Sequence, residues 1–292
     1  MDYWFLYAYA FVLGAVTGSF LNVCVHRLPR GFMLHTPPSH CPFCNEQIRW
    51  YDNVPILGYL LLGRRCRFCG IRISPRYAIV EGITGLLFAY IAYATVGRGK
   101  VDYVRLGVYV ALAAALVAAS FVDFEFRIIP DEISIPGMFI APVVSLVWPH
   151  LHEWTEPIFV QPLAKLVFAD PAAHTHVCGL LASLVGMGFG AGMIWALGVI
   201  GRVLFRKEAM GFGDVKLMGF VGGLLGWKLV VLAIVVAAFV GAAVGLLSLL
   251  RTRDTRLPFG PYLSIGSLVA ALHHQQIADW FLRFSDAVHG GL

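Results

Sequence analysis

Two groups of residues in this chain have the type and spacing to do chemistry: carboxylates at the ends of apolar runs, and four cysteines in one polar loop. The first group centres on Met210-Gly211-Phe212-Gly213-Asp214-Val215-Lys216, which is followed at once by the apolar run 217–225. An ionisable residue at the mouth of such a run is costly, which makes it a functional-site hypothesis whose partner must be found. Gly211 and Gly213 let the backbone turn tightly and approach a substrate closely. As a bare string G-x-G-D also describes an ordinary turn in which the Asp caps a helix. The obvious partner is Asp123, at the end of another apolar run, 106–122. Two carboxylates acting on one bond suggest acid/base hydrolysis. One must be protonated and one ionised, because neighbouring like charges cannot both ionise. Asp123 ends a helix, where the dipole disfavours its charge, and Asp214 opens one, where the dipole and Lys216 favour it. Asp123 is therefore expected to hold the proton and Asp214 to act as the base. Asp131, which follows Pro130 at the start of an apolar run, is the rival for Asp123 but reads as a helix cap. Lys216 either pairs with Asp214 or holds substrate, and Glu125 and Glu132 read as solvated charges.

The second group is Cys41-Pro42-Phe43-Cys44 and Cys66-Arg67-Phe68-Cys69, with 21 residues between the pairs. Each C-x-x-C can wrap a tight turn round one edge of an ion, and two turns close a four-thiolate zinc site. Four thiolates leave no open coordination position, so such a zinc is structural and orders the loop. Disulfides compete with this reading, but not in a reducing compartment. Cys24 and Cys178 lie in apolar segments and read as small buried hydrophobes. His150, His152, His174 and His176 could bind metal but read as solvated loop residues.

The elements that must position these groups are membrane helices. The chain has 292 residues, 59% hydrophobic and 13% charged, with a mean hydropathy of +0.75. Soluble domains average about 25% charged residues. The composition indicates an all-α polytopic membrane protein and excludes soluble classes. Apolar runs at 3–25, 77–96, 106–122, 133–148, 177–205, 217–227, 229–250 and 261–272 predict about eight transmembrane helices. The first lacks a basic leader and a small-residue cleavage site, so it is expected to be retained. Asn22 within it needs a polar partner, most simply on a neighbouring helix. The segment 275–284, with Trp280, Phe281 and Phe284, reads as an interfacial amphipathic stretch. With the amino terminus outside, the inner loops carry 16 of the 22 Lys and Arg. The positive-inside rule favours that orientation, which brings Asp123, Asp131, Asp214 and the cysteine loop to the cytoplasmic face. The net charge of +5 then reflects orientation and anionic lipid contact, not nucleic acid.

Taken together, these residues resemble the bacterial type IV prepilin peptidases, the bifunctional leader peptidase/N-methyltransferase family. The shared pieces run in order: Gly18-Ser19-Phe20-Leu21-Asn22-Val23 with Arg27-Leu28-Pro29, both C-x-x-C pairs flanking Asp52-Asn53-Val54-Pro55, and Ile73-Ser74-Pro75-Arg76-Tyr77 leading to Glu81. Asp123, Ile129-Pro130-Asp131, the 211–216 motif and Pro258-Phe259-Gly260-Pro261 complete the set. Ala78 stands where the family usually has Pro, and the loop 149–176 is longer than expected. The resemblance implies an aspartic endopeptidase at the cytoplasmic face of the bacterial inner membrane, with Asp123 and Asp214 catalytic. It implies removal of the basic leader of type IV prepilins and pseudopilins between Gly and Phe. The new terminal amine is then methylated from S-adenosylmethionine. It implies a division into residues 1–100, with the cysteine loop and methyl transfer, and 101–292, the peptidase domain. No glycine-rich nucleotide fingerprint marks a site for the methyl donor, so methylation rests on the resemblance alone. Glu46, Asp52 and Glu81 are the acids placed to meet the basic leader or the new amine. From another class, a transporter with proton-carrying acids would also use intramembrane Asp residues. Such a path would spread its acids through depth, whereas here they share one face.

Overall fold

The computed structural model describes residues 3–96, 102–152, 175–206, 210–251 and 258–289. Among these the fold is helical, with two isolated β-bridges and no longer strand. All eight apolar runs fall on helices. Among the described residues five helices are long and apolar enough to cross a membrane, so this is a polytopic membrane protein. The chain divides into two compact units, Met1–Phe126 and Arg127–Leu292.

The first unit holds α1 (Trp4–Arg27), a short α2 (Leu57–Leu61), α3 (Arg76–Val96) and α4 (Tyr103–Phe126). α1 and α3 pack antiparallel, with Gly14 against Gly85 and Gly18 against Glu81. A Cβ on Gly14 would lie 2.6 Å from the Thr84 carbonyl oxygen, and one on Gly18 would lie 2.7 Å from Glu81 Cα. Small residues four apart are what allow two membrane helices to approach backbone to backbone. Asn22 finds the helix partner its depth requires: its amide donates to Tyr77 O at 3.1 Å and to Gly18 O at 3.2 Å. The loop between α1 and α3 is pinned by Arg27. Its buried guanidinium donates to the carbonyls of Met33, Leu34 and Pro37.

The second unit holds α5 (Asp131–Val147), α6 (Thr175–Phe205), α7 (Phe212–Leu225), α8 (Trp227–Arg251) and α9 (Gly260–His289). α7 has 14 residues, too few to cross a bilayer that needs about 20. It is nonetheless its unit's most enclosed helix, with every residue from Leu217 to Leu225 buried. Its closest partner is α6, against which it runs antiparallel. A Cβ on Gly222 would stand 2.1 Å from the Gly186 carbonyl oxygen, and one on Gly186 2.2 Å from that of Gly222. The stretch 275–284 continues α9 and is not a separate element. Trp280 is 65% exposed there, while Phe281 and Phe284 lie outside the described side chains.

Candidate catalytic and metal sites

The turn before α7 is built from its glycines. Gly211 is the N-cap, in an extended conformation, and the helix begins at Phe212. Asp214 is therefore the third helical residue, and its carboxylate reaches back to accept the Gly211 N–H at 3.1 Å. This is half of a capping box, satisfying a helix-end donor that no carbonyl can reach. The positive end of the α7 dipole faces the same carboxylate. Asp214 is buried, 7% exposed. Gly213 meets the preceding segment directly: a Cβ there would lie 2.9 Å from Ile129 Cβ. The 129–131 stretch thus packs on the turn. Asp131 is fastened to it a second time, because Lys216 Nζ donates to both its carboxylate oxygens at 2.7 and 2.8 Å.

Two expectations change here. Lys216 donates to Asp131, while the Asp214 carboxylate accepts the Gly211 N–H. Asp131 opens α5 as its first residue behind an N-cap at Pro130, and its paired side chain remains half-exposed.

Asp123 lies in the last turn of α4, as the sequence places it, and is 7% exposed. Glu125, expected to be a solvated charge, instead pairs with Arg76. Glu132 is exposed.

The cysteine loop folds into two matching knuckles. In the first, Asn45 N–H donates to Cys41 O and Cys41 N–H to Glu46 O. In the second, Gly70 N–H donates to Cys66 O and Cys66 N–H to Ile71 O. The residue after each pair, Asn45 (φ 56°) or Gly70 (φ 71°), turns left-handed, where Asn and Gly are the tolerated residues. The four sulfurs lie within 4.8 Å of one another and form the only such cluster among the described residues. Cys41 Sγ stands 3.8 Å from Cys69 Sγ, and Cys44 Sγ 4.0 Å from Cys66 Sγ. Zinc–sulfur bonds of about 2.3 Å in a tetrahedron set sulfurs ~3.8 Å apart, so the donor set fits such an ion. No pair is at disulfide distance; all four are free thiols. The thiols are strongly unequal. Backbone N–H groups of Cys69 and Phe68 hold Cys66 down to about 7. At Cys44 the Glu46 backbone favours the thiolate, but desolvation and the three neighbouring sulfurs outweigh it and push the thiol up to about 12. A dication among the sulfurs favours deprotonation of all four.

Arg67, inside the second pair, forks onto Asp52 through Nε at 2.7 Å and a second nitrogen at 2.5 Å. It holds that carboxyl below the usual carboxylate range. Asp52 is thus committed to the knuckle and is not left to meet a basic leader. Glu46 is exposed. Glu81 is the acid the sequence under-described: it is 7% exposed, and its carboxylate accepts the Ile56 N–H at 2.7 Å and the Ser19 hydroxyl. A Glu five residues into an apolar run was the available signal. Of the four histidines, His150 and His176 are exposed and His174 lies outside the described residues. His152 is fully buried, 2.9 Å from Ser145 Oγ.

Comparison with known proteins agrees with this geometry in both halves of the chain. The description "Bacterial Peptidase A24 N-terminal domain" matches residues 12–95, and "Type IV leader peptidase family" matches residues 110–246. A prepilin leader peptidase/N-methyltransferase of Stutzerimonas stutzeri is 30% identical, covering 94% of this chain and 93% of its own. The Pseudomonas aeruginosa protein of the same name is 30% identical over 98% of both chains. That of Aeromonas hydrophila is 31% identical over 96% of this chain and 94% of its own. No solved structure matches significantly. With the G-x-G-D turn, the four-cysteine cluster and near-complete coverage in agreement, the chain belongs to the prepilin leader peptidase/N-methyltransferase family.

Proposed function

We propose that the chain removes the basic leader of type IV prepilins and pseudopilins between Gly and Phe, then methylates the exposed amine from S-adenosylmethionine. The observation that carries the peptidase reading is the buried Asp214 at the G-x-G-D turn, held at a helix N-terminus by the Gly211 N–H. Asp123 and Asp214 would be the two catalytic carboxylates. In that role Asp214, favoured as the anion by its helix, draws a proton from water, and the water oxygen attacks the scissile carbonyl. Asp123 supplies the proton that the carbonyl oxygen takes up. As the tetrahedral intermediate collapses, the leaving nitrogen takes the proton that Asp214 drew from water, a hydroxyl of the intermediate returns a proton to Asp123, and the C–N bond breaks. In that role the two carboxylates would share one proton, and the pH profile of cleavage would report the pair and not either residue alone. Asp131 serves to hold the turn through Lys216.

Zinc would sit among Cys41, Cys44, Cys66 and Cys69 and stabilise the loop without touching substrate. S-adenosylmethionine, when bound, supplies an electrophilic methyl group. We assign residues 1–100 to methyl transfer and 101–292 to proteolysis; the family descriptions that end at 95 and begin at 110 support this division. The proposed setting is the bacterial inner membrane, amino terminus outside, with the site at the cytoplasmic face and basic loops on anionic lipid. The distribution of Lys and Arg supports it.

The test is incubation of the detergent-solubilised protein with a prepilin and S-adenosylmethionine, with products read by intact mass. Loss of the leader mass and gain of one methyl on the mature product are expected. An intact prepilin in every condition would reject the peptidase reading, and a cleaved but unmethylated product would reject the second activity.

A further inference from the structure

The seam between α1 and α3 holds acceptors whose hydrogen-bonding capacity is not filled. Glu81 is buried in a helix long and apolar enough to cross a membrane, and no Lys or Arg pairs with it among the described residues. Its two hydrogen bonds come from neutral donors, the Ile56 N–H and the Ser19 hydroxyl. A carboxylate offers about four acceptor positions, so roughly half its capacity is unused. One turn away on the same seam, Asn22 is 2% exposed. Both bonds of its Nδ2 go to carbonyls, which fixes the amide's orientation and leaves Oδ1 without a partner. Buried acceptors without donors are costly and rare. Here a carboxyl and an amide oxygen share one small-residue helix contact, where Gly18 approaches Glu81 and Asn22 reaches Tyr77.

What satisfies such a site is a compact cationic donor bearing several N–H bonds. A primary ammonium is the smallest organic group of that kind. Both helices of the seam are apolar enough to cross a membrane. That suits a terminal amine followed by apolar residues better than a free polar amine.

We propose that Glu81 and Asn22 Oδ1 bind the terminal amine of the cleaved pilin and present it for methylation. The assignment rests on the methyl-transfer reading above. An ammonium has no lone pair, so one N–H proton passes to a Glu81 carboxylate oxygen. The freed nitrogen lone pair then forms the N–C bond to the methyl of a sulfonium donor. The C–S bonding electrons leave with sulfur, which becomes a neutral thioether. The methylated ammonium releases a further proton to solvent, as does Glu81. Asn22 orients the nitrogen through a hydrogen bond and takes no proton.

The experiment measures binding of a synthetic mature-pilin peptide that begins with Phe, with its terminus either free or acetylated, to the full-length solubilised protein without a methyl donor. Elution and melting temperature check the folding of each variant. Wild type is expected to prefer the free amine by at least ~10-fold, the scale of a lost buried charge contact. Glu81→Gln, which keeps an acceptor for Ile56, is expected to lose that preference, and Glu81→Asp to retain part of it. Equal binding of both peptides by wild type, or an undiminished preference in folded Glu81→Gln, would overturn the proposal. Failure of the methyl-transfer reading looks different: the preference would remain while no methyl mass ever appears.

Discussion

Asp214 shows how little side chain is needed to define this site. Its carboxylate is positioned by a glycine's backbone N–H, and the next glycine is the one that must be small. Adding a methyl at Gly213 places it 2.9 Å from Ile129 Cβ, so Gly213→Ala is expected to shift the turn and reduce leader cleavage by at least ~10-fold, the scale of an orientation error. Unchanged cleavage by that variant would show that the Ile129 contact does not set the carboxylate's place. A second residue-scale prediction concerns pH. Burial lowers His152 to about 4, against 6.5 for a free side chain. The folded state therefore binds fewer protons than the unfolded state between those values, and stability rises with pH across that window. Full stability holds above about pH 6.5, and about 3 kcal/mol is lost by pH 4. Thermal melting of wild type and His152→Gln from pH 7 to pH 4.5 checks this. Wild type should lose more, and parallel curves would contradict the assignment. The sequence identifies these residues as polar interruptions but not their partners. Lys216 is two residues from Asp214 yet binds Asp131, because the helix carries its side chain away from the turn and towards the start of α5.

At the scale of elements, the glycines decide which helices touch. Gly186 and Gly222 interlock with backbone contacts that leave no room for a Cβ. Gly222→Val is expected to force α6 and α7 apart at a cost of about 1–3 kcal/mol, the usual range for overpacking. A lower melting temperature in detergent would follow, and an unchanged one would mean that the pair yields without loss. The helices themselves are legible from hydrophobic runs, because a chain in lipid must satisfy its backbone internally and has few other options. What the runs do not give is which faces meet. The run 217–227 reads as one span among eight, yet its helix has only 14 residues and its burial makes it the centre of its unit. α9 reads as a span plus an interfacial tail, but nothing stops the helix at 272, so it continues through. The C-x-x-C spacing is legible for the opposite reason: a metal's geometry constrains sequence spacing locally, and both knuckles form as expected.

For the molecule as a whole, the chain joins two chemistries, and each should fail separately. Removing zinc acts on the loop. Cys44→Ser is expected to lower bound zinc below the ~1 ion per chain of wild type and to expose residues 31–75 to protease. Full zinc retention in that variant would remove Cys44 from the ligand set. The loss should reach methyl transfer more than cleavage, because the cysteines lie in the region assigned to the first and the G-x-G-D turn in the region assigned to the second. The most direct measurement compares wild type, Asp123→Asn, Asp131→Asn and Asp214→Asn on one prepilin with S-adenosylmethionine, read by intact mass. The prediction is leader loss in wild type and in Asp131→Asn, at a reduced rate in the latter, and none in the other two. A pilin peptide supplied already cleaved should still be methylated by Asp123→Asn and Asp214→Asn. Leader cleavage by Asp214→Asn at the wild-type rate would contradict the account.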